Sequence, residues 1–253
     1  MIGESQTEKH LLNEILADFV FFTNPELMKD EFRLLVDTSS ADISQIEKYR
    51  TLLSNIQYAW QKTLKYSIYF AEFYPPESRI EKIEALNHHT HAYLQDADTL
   101  KNKIEIFLQT LKKDLTKTAL NKDDVRDFVD AGIEKTYGVF ENILKHRHAH
   151  VHYGMRFVDG DLLKAENAQV TLVMFEKPPF NSMLNPDRKP ELVAKLEKQK
   201  DESFEVAKVR WVSTAQRNDE QISGFLRALL FALRPSFYEF LGIRSVKELI
   251  ISE

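Results

Sequence analysis

A mainly α-helical bundle is the fold this sequence predicts, and three observations predict it. Glycine and proline are scarce, seven and eight in 253 residues. Between them lie stretches of more than thirty residues with no helix breaker. Within those stretches apolar residues recur every three or four positions, the period of one helix face. With 43% hydrophobic residues, the chain has ample material for a core. We read 1–253 as a single helical domain: an antiparallel four-helix bundle (41–153 and 190–243) with an N-terminal helical pair (5–37) and a small β-hairpin insertion and loop (154–186).

Each element follows from its own pattern. Residues 8–22 set Leu11, Leu12, Ile15, Phe19 and Phe22 on one face, and Asn24-Pro25 opens a short second helix toward Val36. Asp37 to Ser40 is a turn with capping chemistry. Residues 41–74 then form one helix roughly 50 Å long at ~1.5 Å per residue. Its stripe is Ile43, Ile46, Leu53, Ile56, Trp60, Leu64, Ile68 and Ala71, and Pro75-Pro76 ends it. A second long helix over 77–120 points Ile80, Ile83, Leu86, Leu94, Leu100, Ile104, Leu108, Leu111 and Leu115 inward. Two long helices joined by a short proline turn pack antiparallel. Asn121 caps a third, with Asp123 and Asp124 where the helix dipole favours negative charge. The ridge of this third helix is Val125, Val129, Ile133, Phe140 and Leu144. Beyond Gly154, the Asp159-Gly160 pair suits a hairpin turn and residues 169–175 alternate like a strand, which predicts a β insertion of two or three strands. Helix returns from Pro190, ambiguously over 204–212 and firmly from Asn218-Asp219 to Leu241, where Gly242 stops it.

Composition excludes several classes. A net charge of −5 and a pI near 6.0 argue against coating nucleic acid by bulk charge, so any contact with it needs a local basic patch. No cysteine means no disulfide and no thiolate metal site, which fits a reducing, cytoplasmic setting. Residues 1–10 lack the basic-then-apolar pattern of a signal peptide. The apolar run 225–243 is interrupted by Arg227, Arg234 and Pro235, so no membrane role follows.

Seven of the eight histidines fall in two windows, His88, His89 and His91, and His146, His148, His150 and His152. The second window also holds Arg147, at the end of the third helix. Imidazole exchanges protons near neutral pH, and guanidinium stays charged and grips phosphate oxygens in a fixed fork. Arginine on the inward stripe of a bundle is costly unless it is paired or lines a cleft. Arg147 and His152 are five apart, roughly 140° around a helix of ~3.6 residues per turn, so they converge only at a helix end or in a cleft shared with another element or subunit.

The segment Arg147-His148-Ala149-His150-Val151-His152 resembles the Arg-x4-6-His signature of the HEPN superfamily, including the polar residue after the arginine, and it sits at the end of a third long helix as in that family. The resemblance covers about residues 41–154 plus a C-terminal helix. It implies a HEPN-like four-helix bundle and a metal-independent endoribonuclease, of the kind that serves as a toxin or antiviral-defence effector. It further implies a homodimer with two motif copies facing one cleft, RNA as substrate, and an antitoxin protein as a partner. Arg147 and His152 would be the catalytic pair. His148, His150, Lys145, His88 and His91 would be accessory or substrate-binding residues. Glu84, Asp96, Asp98 and Glu105 are open candidates for the acidic residue that many members carry on an earlier helix.

The chemistry is coherent without a cofactor or metal. A histidine base can deprotonate a 2′-hydroxyl, and a guanidinium can stabilise the phosphorane that forms as it attacks the adjacent phosphate. Two alternatives stand beside it. One is a catalytically inactive HEPN-like module that binds RNA, nucleotide or protein. The other is a metal-binding helical bundle using His148 and His152 with His88 or His91. Arg147 as an ion-pair strut, and the histidines and the aromatics Tyr49, Tyr58, Trp60, Tyr66 and Phe70 as packing, are the structural counterparts of these readings.

Overall fold

A computed structural model describes residues 10–28, 41–74, 80–118, 122–153 and 159–246, with the backbone alone at 118 and 146–153. The described residues are mainly helical and contain no strand. In chain order the helices are α1 (Leu11–Thr23), α2 (Ile43–Thr63), α3 (Tyr66–Glu72), α4 (Lys82–Thr118), α5 (Lys122–Tyr153), α6 (Gly160–Glu176), α7 (Phe180–Met183) and α8 (Lys189–Leu241), with a 3-10 turn at Pro25–Leu27. None is long and apolar enough to cross a membrane. The residues group into two compact units: Met1–Leu64, Asp96–Ile143 and Asp219–Glu253 in one, Lys65–Gln95 and Leu144–Asn218 in the other.

In the first unit, α1 packs against α2. The stripe 46, 49, 53, 56, 60 of α2 is buried, as are Leu12, Ile15, Phe19 and Phe22 of α1. Tyr49 meets Phe107 and Phe237 edge to face, with ring centres 6.1 and 4.9 Å apart. At the end of α8, Gly242 takes a φ of 67° and the Ile243 amide returns to the Tyr238 carbonyl at 3.0 Å, a glycine C-cap as the sequence predicts. The C-terminal segment is clasped to α1 by buried Asp18, which accepts from the Tyr238 hydroxyl at 2.7 Å and the Val246 amide at 3.1 Å. Burial pushes the Asp18 carboxyl up from its ordinary value despite these bonds.

In the second unit, Phe70, Tyr93 and Trp211 form an aromatic nucleus, with Phe70 5.9 and 5.7 Å from the other two rings. Asp159 is buried and organises the start of α6. Its Oδ1 accepts from the amides of Asp161 and Leu162, both at 3.0 Å, and its Oδ2 accepts from Trp211 Nε1 at 2.9 Å and pairs with Arg210. Arg210 also reaches Asp161 at 2.9 Å. Asn218 donates to the Tyr93 hydroxyl at 3.0 Å, tying α8 to α4 within this unit.

Four expectations are corrected. Residues 160–176 are helical, not strand, and the first expected strand, at 155–158, lies outside the described residues. Seventeen residues free of proline and interior glycine exceed ordinary strand length, and the buried set Leu162, Ala165 and Ala168 steps by three. The alternation at 169–175 faces no core: Val170, Val173 and Met174 are exposed. Asp159-Gly160 is a helix N-cap, a role the same dipeptide fills as well as a turn. Second, 41–74 is not one helix. It breaks at Leu64-Lys65, and the break rotates the stripe so that Tyr66 and Phe70 are buried while Ile68 is 52% exposed. Two aromatic rings bury more apolar area than Leu64 and Ile68 would, which favours that phase. Third, Ile43, the first residue of α2, and Ile80, which precedes α4, are exposed. Fourth, the helix expected from Pro25 to Val36 is a 3-10 turn over 25–27, and its remainder beyond residue 28 lies outside the described residues, as does Asn121.

Candidate functional site

The chain folds the Arg147 to His152 segment into the last turns of α5, which runs unbroken to Tyr153. Five residues on a continuous helix leave Arg147 and His152 roughly 140° apart, while His148 and His152 share one side and His146 and His150 another. The side chains of residues 146–153 lie outside the described residues. Lys145, two residues before Arg147, is exposed.

The other histidine window lies on α4, and both windows fall in the second unit. There the three histidines separate by role. His88 is exposed and His91 half-buried. His89 is buried among the rings of Tyr69, Phe70, Phe73 and Tyr74, with centres 5.6–6.5 Å away, and its Nε2 lies 3.4 Å from the Phe73 carbonyl. Burial lowers its pKa, with His88 adding to the effect and the Phe73 contact opposing it. His89 is therefore a neutral packing residue that holds α3, and only His88 and His91 of this window keep a face toward solvent.

Of the four open acidic candidates, Glu84 alone shares the second unit and is exposed. Asp96, Asp98 and Glu105 belong to the first unit, where Glu105 pairs with Lys101 at 2.9 Å and Asp98 accepts from Asn102 at 3.3 Å. A further acid, which the sequence reading missed, stands beside the α4 window: Glu166 of α6 accepts from Asn87 at 2.9 Å. Reading 169–175 as strand hid it. Recognising Asp159 as an N-cap would have placed Glu166 two turns into a helix. Asp161, in the first turn of α6, is held below the ordinary carboxylate range by Lys164 and Arg210.

Among the described residues no three histidine, aspartate or glutamate side chains come together in a way that could hold a metal ion. The chain matches no family model, no curated protein and no solved structure. The second unit thus contains Arg147, the solvent-facing imidazoles of α4 and the histidine-rich end of α5, and Glu84 and Glu166 belong to the same unit. Such a set combines a permanent cation with groups that titrate near neutrality, the requirements of proton transfer beside a phosphate.

Proposed function

We propose that the protein is a metal-independent, HEPN-like endoribonuclease acting as a homodimer, with Arg147 and His152 as its reacting pair. The observation that carries this reading is the position of the Arg-x4-His segment: it occupies the final turns of a long helix in a mainly helical chain, in the same compact unit as His88 and His91. A helix terminus frees side chains on opposite flanks, and two copies meeting there would supply both groups to one strand.

In the reaction, His152 takes the proton of a 2′-hydroxyl, the 2′-oxygen attacks the adjacent phosphorus, and the bond to the 5′-oxygen breaks. The leaving 5′-oxygen takes up a proton from an imidazolium or water. The products are a 2′,3′-cyclic phosphate and a 5′-hydroxyl. Arg147 offsets charge on the phosphorane, a contribution of about 10²-fold or more for a well-aimed donor. DNA has no 2′-hydroxyl and resists. His88, His91, Lys145, His148 and His150 bind the strand.

The test is incubation of the full chain with single-stranded RNA of mixed sequence, with and without EDTA. The expected result is cleavage that survives the chelator, leaves a cyclic phosphate, spares the matching DNA and is lost in Arg147→Ala and His152→Ala while both variants keep the parent melting temperature. Cleavage abolished by EDTA and restored by zinc or manganese would replace this mechanism with the metal-binding one. RNA bound but left intact would make the chain a binding module.

A further inference from the structure

The first unit carries an open groove of about 990 Å³ between α5 and α8. Phe128, Phe225 and Leu229 form its apolar walls, and Ala131, Gly138 and Ala228 are among its small-residue lining. Along α5 it runs from Phe128 to Asn142, about 21 Å or four turns at ~1.5 Å per residue. That is the length of a docked helix, and the volume is of the order that several large apolar side chains fill.

Two of its glycines do different things. A Cβ on Gly132 would stand 3.4 Å from Leu229 Cδ1 and 3.6 Å from Leu108, so Gly132 serves the chain's own helix packing. A Cβ on Gly138 would meet nothing within 4 Å. Glycine in a helix interior costs roughly 0.5–1 kcal/mol relative to alanine, and no contact among the described residues uses the missing methyl at 138. The α5 backbone at Gly138 is therefore open to a side chain approaching from outside.

Charge beside the groove indicates what approaches. Asp127, Glu134 and Glu141 lie seven residues apart on α5 and so share one flank of the helix; Glu134 lines the groove itself, and the positions beside the three, Phe128, Lys135 and Asn142, line it too, so the flank carries three acids against the single cation of Lys135. All three acids are exposed, and none makes an ion pair or hydrogen bond among the described residues. A row of unpaired acids at heptad spacing beside an apolar seam is the arrangement by which one helix selects another of opposite flank charge. On the α8 side Phe231, 74% exposed, extends the apolar surface.

We propose that this groove docks an amphipathic helix of a partner protein, its apolar face seated over Gly138 and its basic residues, seven apart, facing Asp127, Glu134 and Glu141. This inference is independent of the ribonuclease reading.

The probe is a synthetic helical peptide of about eighteen residues with leucine at i, i+4, i+7 and i+11 and lysine every seventh residue on one flank. Two controls accompany it: the same composition permuted to destroy the apolar face, and the same pattern with glutamate for lysine. Fluorescence anisotropy with the full chain should show binding of the patterned basic peptide and at least tenfold weaker binding of both controls. Gly138→Leu, which has room for its side chain, should weaken binding tenfold or more with the melting temperature kept. The triple variant Asp127→Lys, Glu134→Lys, Glu141→Lys should invert the preference toward the glutamate peptide. Equal binding of the permuted peptide, or binding unchanged in both variants, would overturn the proposal. So would a chain that self-associates until Gly138→Leu disperses it, because the groove would then belong to a second copy.

Discussion

Replacing Asp159 tests whether the second unit is held by one carboxylate. Three groups depend on it: the first-turn amides of α6, the Trp211 indole and the Arg210 guanidinium. In Asp159→Ala, loss of the N-cap costs about 1 kcal/mol. Trp211 is 7% exposed, so its N–H loses an acceptor in a dry place, about 1–3 kcal/mol. The Arg210 side chain is 45% exposed, so solvent screens that pair to well under about 1 kcal/mol. The expected loss is on the order of 3 kcal/mol. Asp159→Asn keeps a single acceptor oxygen, enough to cap α6, but sets its Nδ2 donor against the Trp211 N–H and the Arg210 guanidinium, so it should recover only the cap, about 1 kcal/mol of the loss seen in Ala. The assay follows from the two tryptophans, Trp60 in the first unit and Trp211 in the second. In a Trp60→Phe background, urea unfolding read by indole fluorescence reports the second unit alone. An Asp159→Ala midpoint within about 0.5 kcal/mol of the parent, or an Asn variant as stable as the parent, would refute the reasoning.

Four further outcomes are expected. Burial pushes the Asp219 carboxyl up to about 8, and its Oδ1 has no hydrogen-bond partner among the described residues. The folded state therefore holds a proton that the unfolded chain releases near 3.8, so this residue makes stability fall as pH rises from about 4 to 8 and level off above. Asp219→Asn should gain on the parent by up to about 1.4 kcal/mol per pH unit across that window, and a flat difference would rule the account out. His89 has the opposite sign: its lowered pKa means that the unfolded chain binds the proton first, so the second unit should weaken as pH falls below about 6.5, and His89→Phe should blunt the loss in Trp211 fluorescence. Gly138→Ala should stabilise by about 0.5–1 kcal/mol in thermal melts, because the methyl meets nothing, whereas Gly242→Ala should destabilise by about 1 kcal/mol, because its φ is 67°. Chelation should leave RNA cleavage intact while Arg147→Ala removes it, and the activity should decline on the acidic side as His152 becomes protonated.

What the sequence determined by itself was local and periodic. The stripe from Ile46 to Trp60, most of the inward face from Ile83 to Leu115, the ridge Val129, Phe140 and Leu144, and the glycine stop at 242 follow from a repeat of three and four residues and from left-handed backbone, and the fold keeps them. The placement of the Arg-x4-His segment at a helix end was legible for the same reason, since α5 continues the ridge that begins at Val125. Tertiary structure decided what depends on competition between partners. Asp159-Gly160 caps a helix rather than turning a hairpin, and the second oxygen of the capping carboxylate is held by the Trp211 indole fifty-two residues away, a partner that no local window contains. The phase of α3 is settled by Phe70 and Tyr66 finding Tyr93 and Trp211, a gain that no window around Ile68 contains. Division of the histidines into a buried plug at His89 and solvent-facing neighbours at His88 and His91 likewise needed four aromatic rings from another helix and its exit. Periodicity is written in a short stretch of chain, but burial is a property of what lands beside it.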